Sequence, residues 1–252
     1  MKYFLDTEFI EGTQKTFFGE TKPTIDLISI GLVDEKGREF YAISNEFNLK
    51  EAWNRYDKVE CCKIPTMCGS KTQGHCEGFK RVYWIRENVL RPIYDELLQK
   101  ERYAREHHLN LVEPFSYKTM KTLLKWNGKS KVEIANGICA FIYGDDCGGS
   151  GMSAIEMAMK YEISDKTLEP EFYAYYAGYD WVAFCWIFGK MMQLPKGFPM
   201  YCKDLKQIMD EKGLDKEWKR LNCPDPVGEH NALVDAKWNL KLFNLLKVLK
   251  TL

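Results

Sequence analysis

The sequence predicts an α/β domain in which a mixed β-sheet carries helices on both sides. Three observations predict it. The chain opens on an antiparallel meander, Lys2 to Ile43. Much later, Glu171 to Ala177 is aromatic and apolar almost throughout, as a strand covered on both faces should be. A long helical pattern, Asn231 to Leu249, closes the chain. The 252 residues are 45% hydrophobic, enough for one large core, so a single domain over 1–252 is expected. No apolar run approaches a membrane span and no charged-then-apolar leader opens the chain. A soluble, cytoplasmic protein without a membrane partner is therefore expected. The nine cysteines, odd in number and without scaffold spacing, suit reduced thiols. Lys+Arg and Asp+Glu balance at 36 each, so net charge excludes no partner.

Element by element, Lys2 to Leu5 reads as a strand running into Asp6 and Glu8. Alternate strand residues share a face, so the two carboxylates project together. Side by side they repel unless a cation lies between them, and oxygen-only ligands suit Mg²⁺ or Mn²⁺. Thr13 to Thr24 is polar and is read as a surface loop. Ile25 to Val33 is a buried strand, Asp34 to Gly37 a turn, and Arg38 to Ile43 the returning strand. Trp84 to Gln99 is helical by spacing, with Pro92 kinking or dividing it. Between these, Cys61 to Cys76 holds four cysteines and His75. Zinc is the alternative there, but adjacent Cys61 and Cys62 chelate poorly, so a reduced loop is preferred.

Lys100 to Lys131 carries eight positive against three negative charges, with Phe115, Tyr117 and Trp126 interleaved. Such a stretch can hold phosphates and stack bases, and Lys121, Lys125 and Lys129 are spaced to share one helical face. A solvated helical surface is the competing explanation. Ser130 and Glu133 form a capping box for a helix through Ile142. Gly148 to Gly151 lacks the Lys-Ser/Thr of a phosphate loop and is read as a connection. After the Glu171 strand, Gly178-Tyr179-Asp180 turns into a helix from Trp181 to Met191, where Asp180 could serve simply as an N-cap. Met200 to Asp204 is a short edge strand, Leu205 to Lys212 a helix, and Lys216 to Gly228 irregular. In the last helix Asp235 shares a stripe with Trp238, Leu242, Leu246 and Leu249. An acid on a core-facing stripe is costly alone, and a metal shared with Asp6 and Glu8 resolves the cost. His230 stands just before that helix. Four carboxylates and an imidazole are the parts of two-metal phosphodiester hydrolysis.

At these residues the sequence resembles the DEDDh 3′–5′ exonucleases, the DnaQ-like group of the RNase H-like fold. The motifs are Asp6-Thr7-Glu8, Tyr179-Asp180 and His230 to Ala236. It is most similar to the RNase AS type of exoribonuclease, through Tyr3 to Glu11, Leu27 to Gly31, Arg86 to Leu90, Ala174 to Asp180, Pro199-Met200 and Asp204-Leu205. The likeness covers roughly 1–55, 82–98, 130–143 and 170–245, leaving 56–81, 99–129 and 144–169 as insertions. Phe9 stands where many relatives outside this type place a threonine.

The resemblance implies removal of nucleotides from single-stranded RNA 3′ ends, with two Mg²⁺ or Mn²⁺ ions. Asp6, Glu8 and Asp235 would hold the first ion, Asp6 bridging to a second that Asp180 helps to hold. His230 would be the general base and Glu8 would also meet the terminal 3′-hydroxyl. Phe9, Tyr179 and Trp181 are near enough in sequence to line the terminal nucleotide's pocket, with core packing the expected job of at least one of them. A homodimer is also implied. The rivals are a DNA exonuclease, separable only by contact with the 2′-hydroxyl, and a catalytically silent nucleic-acid-binding subunit.

Overall fold

A computed structural model describes residues 1–15, 21–60, 79–104, 114–144 and 169–249. Cys61 to Cys76 and Gly148 to Gly151 lie outside the described residues, as do most of 56–81 and 144–169. The chain is α/β, with a five-stranded mixed sheet flanked by helices. Its strands are β1 (Lys2–Lys15), β2 (Thr21–Asp34), β3 (Glu39–Ile43), β6 (Glu171–Ala174) and β7 (Lys203–Asp204), in the order β3-β2-β1-β6-β7. The meander β1-β2-β3 is antiparallel, whereas β1-β6 and β6-β7 are parallel.

The molecule has two compact bodies, residues 1–47 with 124–252, and residues 48–123. In the first, strand alternation feeds two cores. Tyr3 and Leu5 of β1 and Phe172 and Ala174 of β6 face one side, against α4 (Lys131–Tyr143) and α5 (Gly178–Ile187). Phe4 and Tyr173 face the other, against α6 (Leu205–Glu211) and α8 (Ala232–Val248). Helices on both sides are thus present, and the Ser130–Glu133 capping box opens α4 as the sequence predicts.

The second body contains α1 (Leu49–Asn54) and a two-stranded sheet of β4 (Asp57–Glu60) and β5 (Phe79–Val82). A helix from Trp84 follows, passing through a π turn at Arg86–Leu90 into α2 (Arg91–Ala104). Pro92 has no N–H to close a turn on Asn88, and the widened turn sits directly before it. Leu49, Leu90, Ile93, Leu97 and Met120 are buried here, the last on α3 (Tyr117–Asn127). The neutral total hides a partition. Residues 48–123 carry 14 Lys/Arg against 10 Asp/Glu, leaving the first body with the matching acidic surplus.

Several expectations are corrected. The polar Thr13–Thr24 stretch, read as a loop, is strand where it is described: β1 and β2 stay paired out to Lys15 opposite Thr21, and 16–20 lie outside the described residues. A ribbon paired only with its sister strand needs no apolar face, so periodicity gives no signal for it. Lys216 to Gly228 is not irregular throughout, because Asp215 accepts from the Trp218 N–H at 2.8 Å and caps α7 (Lys216–Asn222). Seven residues are too few for a helical stripe to stand out. Finally, α5 stops at Ile187, not Met191, with Gly189 at φ 104° closing its end.

Candidate active site

Parity along β1 decides where the acids go. Asp6 and Glu8 follow Phe4 onto the α8 side of the sheet, while Thr7 follows Leu5 onto the α5 side. Directly after Glu8 the β1–β2 register shifts, so that Phe9 pairs with Leu27. Such a bulge bends a strand and re-aims the side chains next to it.

Asp235 reaches the pair because α8 lies unusually close to the sheet. Gly31 of β2 pairs with Asp6, and a Cβ there would sit 2.3 Å from the Ala232 carbonyl oxygen. The absent side chain lets the first turn of α8 rest on the strand. Asn231 caps that turn, accepting from the N–H groups of Leu233 (3.1 Å) and Val234 (3.2 Å). Beyond Phe4 the strand β6 no longer pairs with β1, and buried Asn239 of α8 donates to the Leu5 carbonyl at 2.9 Å. Oxygens of Asp6, Glu8 and Asp235 consequently lie within 4.8 Å of one another.

Asp180 arrives from the other face. It sits in the first turn of α5, but that helix begins at Gly178 without a side-chain cap, so the N-cap reading does not hold. Its Oδ1 accepts instead from the Thr7 N–H (2.9 Å) and Thr7 Oγ1 (2.6 Å). His230 takes φ 70°, a left-handed backbone rare outside glycine, and its N–H donates to Asp235 Oδ2 at 2.8 Å. All five expected residues line one cleft of about 270 Å³, together with Thr7, Phe9, Glu229 and Asn239.

The electrostatics are those of acids held together against their charge. Burial, then the charges of Asp180, Glu8 and Asp235, pushes the Asp6 carboxyl well above the usual range. Burial and the charges of Asp235, Asp180 and Glu229 raise Glu8 to about 8. Burial raises Asp180 to about 6 against the lowering Thr7 hydrogen bonds, and Asp235 to about 6 against the His230 N–H. Asn239 Oδ1, buried and unpartnered among the described residues, adds a lone acceptor. An oxygen-only set that is mutually repelling, with an acceptor awaiting a donor, fits a hydrated Mg²⁺ or Mn²⁺.

The expected nucleotide-contacting residues divide. Phe9 lines the cleft and stacks on Tyr179, centroids 5.6 Å apart, and exposed Tyr179 bonds Glu11. Trp181 does not line the cleft. One helical step past Asp180 it turns into the core, stacked on Phe184 at 5.0 Å with its indole N–H on the Met200 carbonyl. Lys121 and Lys125 are exposed on α3, but Lys129 is not on that helix. The Gly128 N–H closes on Leu124, and the Lys129 backbone exchanges hydrogen bonds with Ile43 and Asn45. The row on α3 is therefore Lys118, Lys121 and Lys125, and none of them lines the cleft. Sequence reasoning missed Thr7, Lys219 and Asn239. Asn239 stood one turn beyond Asp235, and that spacing was the available signal.

Fold and site together define an α/β protein whose central strand, β1, carries two of the six carboxylates that line a cleft with one imidazole. No protein-family model matches the chain. It is similar to proteins named 3'-5' exoribonuclease in two strains of Mycobacterium tuberculosis, CDC 1551 / Oshkosh and ATCC 25618 / H37Rv. Each is 27% identical over 246 residues, spanning 98% of this chain and 93% of the relative.

Proposed function

We propose that this protein is a 3′–5′ exoribonuclease of the DEDDh, RNase AS-like type, built on an RNase H-like fold and dependent on Mg²⁺ or Mn²⁺. The observation that carries the reading is the convergence of Asp6, Glu8 and Asp235 within 4.8 Å, with Asp180 and His230 lining the same cleft. The likeness to proteins named exoribonucleases points the same way. The strand order, with a parallel pair added to an antiparallel meander, supports the fold assignment. Asp6, Glu8 and Asp235 would hold one ion, and Asp6 with Asp180 a second. Bound there, the ions would lower the pKa of water and offset charge on the attacking and leaving oxygens.

The chain's own residues supply the rest. Thr7 keeps Asp180 in one orientation through two donors on a single oxygen. The His230 ring, on a backbone pinned to Asp235, takes the proton of the attacking water. Glu8 meets the terminal 3′-hydroxyl, and the Phe9–Tyr179 stack gives the terminal base an aromatic face. Among the described residues no helix is long and apolar enough to cross a membrane. A homodimer and a single catalytic unit with insertions belong to this reading through the resemblance, and a cytosolic location through the scattered cysteines.

The test uses 5′-labelled RNA and DNA oligomers of equal sequence, with Mg²⁺ or Mn²⁺. We expect a ladder shortening from the RNA 3′ end, abolished by Asp6→Asn and by chelator. Shortening of DNA alone would make the protein a DNA exonuclease, and shortening of neither would refute the activity.

A further inference from the structure

We propose that Lys219 is the phosphate contact of the cleft, its ammonium receiving the 5′-phosphate of the terminal nucleotide. This rests on the exoribonuclease reading above and adds to it a residue that none of the expected motifs contains. The cleft is lined by six acids, Asp6, Glu8, Asp180, Asp225, Glu229 and Asp235, and Lys219 is the one permanently cationic side chain among its described lining residues. A phosphodiester entering such a cleft brings further negative charge. A fixed ammonium offsets it from the protein side and tells a nucleotide from a nucleoside.

The lysine is built into the wall. It rises from α7, and only 18% of its side-chain surface is exposed. Its ammonium lies 5.2 Å from the Tyr175 ring centroid and 5.0 Å from that of Trp238, and it is ion-paired with Asp225. Trp238 is itself fixed, its indole N–H donating to the Pro224 carbonyl at 2.9 Å. A ring face attracts a cation without offering a lone pair. Of the three ammonium N–H donors, one goes to Asp225, which leaves N–H groups to donate to phosphate oxygens. Held on three sides, the charge loses little further freedom on meeting a phosphate. A merely structural lysine would tie the turn at Pro224–Pro226 to α7 and would show no preference for phosphate.

The test is calorimetric titration of Mn²⁺-loaded protein with adenosine 5′-monophosphate and, separately, with adenosine. Lys219→Met keeps the stem against both rings and removes the charge; Lys219→Arg keeps the charge. We expect Lys219→Met to weaken the monophosphate about 10- to 100-fold and leave adenosine unchanged. Lys219→Arg should restore most of the difference, and Asp225→Asn, which removes a competing carboxylate, should bind the monophosphate more tightly than wild type. Equal weakening of both ligands, or of neither, while wild type still shortens RNA would overturn the role of Lys219 alone. A wild type that neither shortens RNA nor prefers the monophosphate to adenosine would overturn the exoribonuclease reading with it.

Discussion

Gly31→Ala should disable the site without touching any group in it. The added Cβ would stand 2.3 Å from the Ala232 carbonyl oxygen and 2.5 Å from Leu233 Cα, both main-chain atoms of the first turn of α8. Ordinary contact begins at 3.4 Å, so either α8 or β2 must yield by about 1 Å. Asp235 lies in that turn and Asp6 pairs with Gly31, so the yield falls on the spacing of the two carboxylates. Overpacking of this kind costs roughly 1–3 kcal/mol, and a displacement near 1 Å among reacting groups costs roughly 10²-fold in rate. We therefore expect a folded protein, less stable in urea by that margin, with Mn²⁺ affinity reduced and turnover on labelled RNA down about 10²-fold. Gly178→Ala is the control, because its Cβ would meet nothing within 4 Å. Wild-type Mn²⁺ affinity and turnover in a correctly folded Gly31→Ala would refute the idea that close approach of α8 sets the site.

Four further outcomes are expected. Thr7→Val removes the 2.6 Å hydroxyl donor to Asp180, which should cost about 1–2 kcal/mol of stability and lower kcat more than it raises KM; the ratio is read from steady-state kinetics on a short RNA. His230→Ala should cut turnover roughly 10²–10⁴-fold with Mn²⁺ affinity near wild type, and His230→Gly, relieved of the φ 70° backbone, should be about 1 kcal/mol more stable than His230→Ala; equal urea midpoints would show that no strain is stored there. The carboxyls of Glu8 (about 8), Asp180 and Asp235 (about 6 each) are raised in the fold, so their stabilisation is complete below the unfolded values near 4. The metal-free protein should accordingly lose stability as pH rises from about 4 to 8, and Mn²⁺ should remove that slope; a flat unfolding curve in EDTA would contradict the shifts. Finally, neutralising Lys118, Lys121 and Lys125 to Gln should raise KM on long RNA and lower its salt slope by about two, at roughly 0.7 per contact, while sparing a dinucleotide; no effect on either substrate would mark the row as solvated surface.

What could be read from the sequence was whatever a simple period governs. Strand alternation put Asp6 and Glu8 on one side, and helical spacing put Asp235 on the apolar stripe of α8 beside Trp238 and Leu242. The same periods failed where an element was short or ended early. Trp181 differs from Asp180 by a single helical step, yet that step carries it from the cleft wall into the core. Lys129 continued a four-residue rhythm on paper, but Gly128 ends α3 one residue before it. α7, which brings Lys219 to the cleft, is seven residues long and rests on a single cap at Asp215, too little pattern to detect. Thr7 stood in plain view within Asp6-Thr7-Glu8; its bond to Asp180 required knowing that α5 lies on the opposite face.

That opposition of faces has a consequence for how the site tolerates change. Asp180 is gauged against Thr7, and Asp235 against Asp6 and Glu8, so both halves are calibrated to consecutive residues of one strand. Such a layout is wired in parallel, not in series: a misfit in one limb does not add to a misfit in the other. The chain that joins the two limbs carries its own ties to both. Asp204 accepts from the Tyr176 and Ala177 N–H groups just before α5, the Met200 carbonyl accepts from the Trp181 indole, and Lys219 lines the cleft. Only length changes that leave these in place are tolerated. A single-residue insertion between Leu5 and Asp6 has no such latitude, since it would turn both carboxylates and the threonine to the wrong sides at a stroke.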